Sequence, residues 1–306
     1  SSVILFYNLG VEPLQDYDEA TYAEITRESL ERGNYLSPTF LNNDYFRKPP
    51  LLFWLMAASN QVFTDTEFAM RFPSALGAFL LVPLVVLLCI EAGAGMGVGL
   101  LAGLILATTS AAMEPARQAR FDVLISFFIV AALYAGMRAQ RFPKWYLLMG
   151  ACIALAFLTK SVIAVFAPIA LLIYLLQKKR FAFLKERWFW GGVLAFLVVV
   201  SPWHIYQTIK FGGAFWNTYL GTQVFDRAGS NLFDGISSNL TTNWDYTQYF
   251  ITFGAPWSSL FIIALVGSLF LVSRMEKDVR ILLVTAIGTV LSIAGVMCWS
   301  ETKAVT

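Results

Sequence analysis

Apolar runs long enough, or nearly long enough, to cross a bilayer recur along the chain at 72–90, 96–113, 121–137, 145–158, 162–176, 188–206, 255–272 and 281–299. A hydrocarbon core roughly 30 Å thick takes about 20 helical residues to cross. Inside it each backbone N–H and C=O must be satisfied within the chain, which leaves helices or closed barrels. The runs are continuous rather than alternating, so they predict helices, and the chain reads as an all-α polytopic membrane protein. A hydrophobic fraction of 58% with 26 Phe and 9 Trp exceeds the needs of a soluble core and excludes a water-soluble enzyme. The runs at 145–158 and 162–176 are short for a span and are expected to be tilted or partly re-entrant. Residues 3–10 read as the tail of a first helix, which gives nine expected crossings. The abrupt start at Ser1 and the equally abrupt end at SETKAVT read as those of a piece of a longer protein.

Charge sets the orientation. With 11–71 on one side, alternate crossings put 91–95, 138–144, 177–187 and 274–280 on the other. Those loops and their edges hold Arg138, Arg141, Lys144, Lys178, Lys179, Arg180, Lys185, Arg187, Arg274, Lys277 and Arg280, 11 of the 22 Lys and Arg. The positive-inside rule makes them cytoplasmic. The outer side then carries all 20 acidic residues except Glu91, Glu186, Glu276 and Asp278. Asp18, Glu19, Glu114, Asp122, Lys160 and Arg227 all fall on or near that outer face, a convergence the topology was not built to produce. A net charge of +2 gives no basis for a nucleic-acid partner. Cys89, Cys152 and Cys298 lie far apart inside apolar runs and read as buried thiols.

The outer segment is dense in polar groups. Helical spacing of Tyr22, Ile25 and Leu30 against Glu24, Arg27, Glu28 and Glu31 predicts an interfacial helix over 17–32, with Gly33-Asn34 as its C-cap. Pro49-Pro50 opens a second interfacial helix over 51–62 with Trp54 in the interface plane. Trp216, Tyr219, Trp244, Tyr246 and Tyr249, in the outer loop 207–254, suit the headgroup level.

Several side chains there admit two readings. Asp18-Glu19 can complement a helix dipole, worth about 0.3–1 kcal/mol, or supply an active-site carboxylate. Asp122, which follows Arg117 and Arg120 at the start of a membrane helix, can be an interfacial ion pair or a functional acid. Arg47 and Lys48, ahead of Pro49-Pro50, can attract anionic lipid or hold a phosphate. Lys160, between two apolar runs, can snorkel or bind the same phosphate. His204 has no Cys or His neighbours and reads as structural or interfacial. GAGMGVG at 93–99 follows no strand and reads as a cytoplasmic turn rather than a nucleotide fingerprint.

In order, DYDEATYAEI, NNDYFRKPPLLFW, FAMRFPSALGA, RFDVL and LAFLTKS resemble the N-terminal half of the polyprenyl-phosphate-dependent glycosyltransferases of the protein-mannosyltransferase superfamily, which have the GT-C fold. Within it the pattern is most similar to the lipid A aminoarabinose transferases, and the terminal WSETK resembles the start of an S-x-x-K motif. The resemblance implies a GT-C-type transmembrane bundle at 72–306, a first outer loop with interfacial helices at 11–71, and further C-terminal helices with a possible periplasmic domain. It implies a multi-pass protein of the bacterial inner membrane whose site faces the periplasm. There an inverting transferase would move a sugar from an undecaprenyl-phosphate-type donor to lipid A or a related glycolipid. By the same resemblance Asp18 and Asp122 are catalytic, Lys48, Arg47, Lys160 and Arg117 bind the donor phosphate, and Glu19, Tyr22, Tyr45 and Tyr246 line the cavity.

Thr21 stands where the family commonly has Arg, Arg47 where it has Glu, and Gln223-Val224 where an outer-loop Glu-His pair resembles a metal site. No cofactor is therefore expected, and a divalent cation would lack the relatives' ligands. Two other functions share these features: a protein O-glycosyltransferase using the same donor class, and a lipid-linked sugar flippase. A flippase should show midplane charges and internal repeats, which the sequence lacks.

Overall fold

The computed structural model describes residues 5–15, 17–64, 66–179 and 181–226. The expected spans at 255–272 and 281–299, the loop at 274–280, Tyr246 and Cys298 lie outside these residues.

Four described helices are long and apolar enough to cross a membrane: α3 (Glu67–Glu91), α6 (Phe121–Arg138), α7 (Trp145–Ala164) and α9 (Arg187–Phe211). A bent pair, α4 (Gly95–Thr108) and α5 (Ser110–Ala116), meets at 61° and is apolar enough for a broken span or a re-entrant loop. Leu100, Leu101 and Leu104 on α4 and Leu194, Leu197 and Val198 on α9 stay exposed, as apolar side chains facing lipid should. The chain is thus a helical, multi-pass membrane protein. The glycine-rich stretch at 93–99 is a turn only to Ala94; from Gly95 it is already α4.

The bundle centres on α6, α7 and α9, around buried Ile125, Ile129, Ala132, Tyr146, Met149 and Ile153. Helices α7 and α9 cross with their backbones almost in contact. A Cβ on Gly150 would meet the Gly192 carbonyl, and one on Gly192 would meet the Tyr146 carbonyl. Only glycine lets two membrane helices approach so closely. At the basic end Glu91, 7% exposed, receives Arg138 at 2.7 Å and Arg141 at 3.9 Å, tying the end of α3 to that of α6. Cys152 is buried as expected, whereas Cys89 is only half-buried, on α3 beside Gly99 of α4.

The opposite end carries α1 (Asp18–Arg32) and α2 (Leu51–Phe63), close to the two interfacial helices expected. Gly33 closes α1 in the left-handed conformation at φ 62°, with its N–H and that of Asn34 on the Leu30 and Ser29 carbonyls. Between them Thr39–Phe40 (β1) and Asn43–Asp44 (β2) pair antiparallel around Leu41 and Asn42, both at positive φ. The sequence carries no Asn-Gly or Asp-Gly to announce this hairpin. Glu28 of α1 anchors it, accepting from the Thr39 hydroxyl and, at 3.1 Å, from the Asn42 N–H. Trp54 is not simply an interface anchor: its indole donates to the Tyr35 carbonyl at 2.7 Å. Trp203 and Gln207 of α9 both donate to the Leu36 carbonyl, so α2 and α9 together pin the loop that leads to Lys48.

The two short runs expected at 145–176 form α7 and α8 (Phe166–Lys179), and the interruption is at Lys160, whose φ of −154° and ψ of 89° are non-helical. Backbone carbonyls freed near such a break need donors in an apolar setting. Thr159 and Ser161 supply them, their hydroxyls donating to Leu155 and Phe157 at 2.7 and 3.0 Å.

Candidate active site

Three rings hold the base of the site. Tyr22 of α1, Phe53 of α2 and Phe121 of α6 pack edge to face, with centroids 4.8 Å apart for Tyr22–Phe121, 6.0 Å for Tyr22–Phe53 and 5.6 Å for Phe53–Phe121. Tyr22 lies one helical turn after Asp18, and Phe121 immediately precedes Asp122. The triad therefore fixes the two acid-bearing helix starts against each other.

Above the rings, charges from four segments alternate in sign. Lys160 Nζ, at the break in α7, donates to Asp122 Oδ1 at 3.0 Å. Arg120 places Nε 3.9 Å from Asp122 Oδ2 and Nη2 3.8 Å from Asp18 Oδ2. Lys48 lies within electrostatic reach of Asp122. Asp18, Tyr45 and Asp122 lie close enough to the buried Tyr22 hydroxyl to act on it electrostatically. Burial, and then the negative charge of Asp18, push the Tyr22 phenol far above its usual range, so it stays a donor.

The charges of this network are partly exposed. The side chains of Asp18, Asp122 and Arg120 are 61%, 41% and 35% exposed. Such solvated pairs contribute about 0–1 kcal/mol to stability. A row of weakly stabilising charges on a rigid base is suited to receiving a charged ligand.

Not every expected residue joins this row. Glu19 does not line a cavity: it is 3% exposed and locked to Arg71. Its Oε1 accepts from Arg71 Nε and the Ala119 N–H, each at 2.8 Å, and its Oε2 from Arg71 Nη2 at 2.9 Å and the Gln15 N–H at 2.8 Å. Arg71 gives its remaining donors to the carbonyls of Leu9, Glu12 and Pro13, so all five N–H groups of the guanidinium are engaged. Burial alone would raise the Glu19 pKa, but the hydrogen bonds and charge of Arg71 and the two N–H groups hold it below the usual value. Arg117 also lies elsewhere, donating to the Leu5 and Tyr7 carbonyls at 3.4 and 2.9 Å. Arg47 is exposed and makes no ion pair among the described residues. Tyr45 packs on Phe53 at 6.1 Å, at the rim of the ring triad.

His204 hydrogen-bonds through both nitrogens, to the Val200 carbonyl at 2.8 Å and to the Tyr219 hydroxyl at 3.1 Å, while Tyr219 also pairs with Ser161. This is the structural role expected for it. Among the described residues no group of three or more His, Cys, Asp or Glu could hold a metal ion. Sequence reasoning named Arg117, whereas the guanidinium that lies beside Asp18 and Asp122 is that of Arg120. The two flank one short turn, and only its conformation decides which guanidinium faces the carboxylates.

The fold is that of a known transferase. A crystal structure of ArnT from Cupriavidus metallidurans bound to undecaprenyl phosphate superposes with a TM-score of 0.72 at 19% identity, covering 96% of this chain and 58% of that one. The apo form of the same protein gives 0.64 over 96% and 57%. In sequence the chain is similar to the undecaprenyl phosphate-alpha-4-amino-4-deoxy-L-arabinose arabinosyl transferases of Enterobacter sp. (strain 638), 28% identical over 84% of this chain and 47% of the relative, and of Aeromonas salmonicida, 31% identical over 66% and 38%. It spans about half the length, or less, of these curated relatives. The model of one family, dolichyl-phosphate-mannose-protein mannosyltransferase, matches residues 47–206, just over half of the chain, beginning at Arg47-Lys48 and running through Asp122 and Lys160. The chain belongs to this family of membrane glycosyltransferases.

Proposed function

We propose that the protein is an inverting glycosyltransferase of the bacterial inner membrane, with its site facing the periplasm. It takes a sugar from a polyprenyl-phosphate donor of the undecaprenyl-phosphate type and gives it to lipid A or a related glycolipid. The observation that carries this reading is the meeting of Asp18, the Arg120–Asp122 turn and Lys160, from three distant parts of the sequence, in one partly exposed row at the loop-bearing end of the bundle. That end is opposite the one where Arg138 and Arg141 gather on Glu91.

In the reaction an acceptor oxygen attacks the anomeric carbon from the face opposite the lipid. The bond from that carbon to the phosphate oxygen breaks, and its electron pair leaves on the polyprenyl phosphate. For a hydroxyl acceptor Asp18 takes the proton as general base. An anionic phosphate acceptor has no proton to lose, and Asp18 then steadies positive charge developing on the sugar. Lys48 and Lys160 meet the negative charge that grows on the leaving phosphate. The donor carries its own leaving group, so the reading requires no cofactor.

Donor lipid bearing a labelled sugar, offered with lipid A to the protein in nanodiscs, tests the assignment. Wild type should release undecaprenyl phosphate and label the acceptor, and Asp18→Asn should cut the rate by at least about 100-fold. Wild-type turnover by Asp18→Asn would remove Asp18 from the chemistry. Movement of donor across the membrane without release of undecaprenyl phosphate would make the protein a flippase.

A further inference from the structure

Two arginines near the site use their guanidinium groups in opposite ways. Arg71 is buried, and all five of its N–H groups are taken by Glu19 and three carbonyls. It has nothing to offer a ligand. The Arg120 side chain is 35% exposed and comes no closer than 3.8 Å to either carboxylate, so no described residue accepts any of its N–H groups at hydrogen-bond distance. Its backbone, by contrast, is held firmly. The Arg120 N–H donates to Ser74 Oγ at 3.2 Å and that hydroxyl donates back to the Arg120 carbonyl at 2.9 Å. Ser74 is fully buried, and the preceding N–H, of Ala119, is fixed on Glu19.

A guanidinium on an anchored backbone, oriented by two carboxylates yet hydrogen-bonded by neither, is preorganised for an anion with several acceptor oxygens. We infer that Arg120 is a further donor-binding residue, which gives its N–H groups to the phosphate of the polyprenyl-phosphate lipid while Nε and Nη2 keep Asp122 and Asp18 in place. The charges agree. Arg120, Lys48 and Lys160 face Asp18 and Asp122, leaving one positive charge in excess, which the single negative charge of a phosphodiester cancels. After transfer the leaving phosphate is more negative, and the third cation matters most there. The inference rests on the donor reading above, but it concerns the phosphate and not the sugar.

Wild type, Arg120→Lys and Arg120→Ala in nanodiscs are titrated with undecaprenyl phosphate, with undecaprenol and with inorganic phosphate. Arg120→Ala should bind undecaprenyl phosphate about 10- to 100-fold more weakly, the loss expected for charge-assisted hydrogen bonds. Its affinity for undecaprenol and its thermal unfolding midpoint should not change, and Arg120→Lys should fall between the other two. Wild-type affinity of Arg120→Ala for undecaprenyl phosphate overturns the inference, and so does an equal loss of undecaprenol binding. Inorganic phosphate binding as tightly as the lipid would assign Arg120 to free phosphate and overturn the lipid reading. If Arg120→Ala loses undecaprenyl phosphate but wild type transfers no sugar, the inference stands and the transferase reading falls.

Discussion

Asp18→Asn and Glu19→Gln change one carboxyl each on adjacent residues and should have unlike effects. Asp18 is exposed in a loose pair with Arg120, so Asp18→Asn should stop turnover and leave the unfolding midpoint nearly unchanged. Glu19→Gln leaves the Arg71 charge buried without its counter-ion, and should cost about 3 kcal/mol of stability, read from the shift in midpoint. The two should also separate with pH. The Glu19 pKa lies below its ordinary 4.5 in the folded protein, so the unfolded chain takes up the proton first. The stability that Glu19 supplies is complete above about pH 4.5 and is lost as pH falls through the lowered folded value. Midpoints measured downward from pH 7 should therefore fall more steeply for wild type than for Glu19→Gln below that point. Sequence alone places Asp122 and Lys160, because a charge at the end of an apolar run must sit at the membrane boundary, where few positions are available; Asp18 comes from the family resemblance. Composition and spacing do not separate the roles of Asp18 and Glu19, and the resemblance, which put Glu19 at the cavity, does not foresee its burial against Arg71. Successive helical residues point about 100° apart, and which one faces inward depends on Arg71, 52 residues away.

At the scale of elements, the spans were readable because an 18- to 25-residue apolar helix has no other way to satisfy its backbone in lipid. The break in α7 was also readable, as two runs too short to cross, since Thr-Lys-Ser interrupts the apolar sequence at that point. The 61° bend at Thr109 was not, because Thr108-Thr109-Ser110 carries no charge and residues 96–113 read as one run. The crossing of α7 and α9 was hidden too: Gly150 and Gly192 are 42 positions apart, and each is ordinary by itself. Gly150→Ala should force those backbones apart and cost about 1–3 kcal/mol, seen as a lower unfolding midpoint. Lys160 would then sit on a displaced half-helix, so turnover should fall with stability. A Gly150→Ala protein with wild-type stability would mean that the crossing is looser than drawn.

For the molecule as a whole, orientation follows from where the positive charge gathers. With a membrane-impermeant maleimide on intact spheroplasts, Glu31→Cys should be labelled from outside, while Arg141→Cys should be labelled only after the membrane is opened. Both side chains are well exposed, at 60% and 71%, so access to solvent is not limiting. The reverse pattern would put Asp18 and Lys160 on the cytoplasmic side and remove the periplasmic reaction.

The Glu19–Arg71 pair bears finally on how α1 can evolve. Because Glu19 is bonded on both oxygens, α1 has one permitted rotational phase. A single-residue insertion ahead of Asp18 could be absorbed by the loop and leave that phase intact. An insertion between Asp18 and Glu19 would turn the acid by about 100° away from Arg120. The Asp-Glu dipeptide thus works as an index mark, with Glu19 setting the dial and Asp18 the position being read.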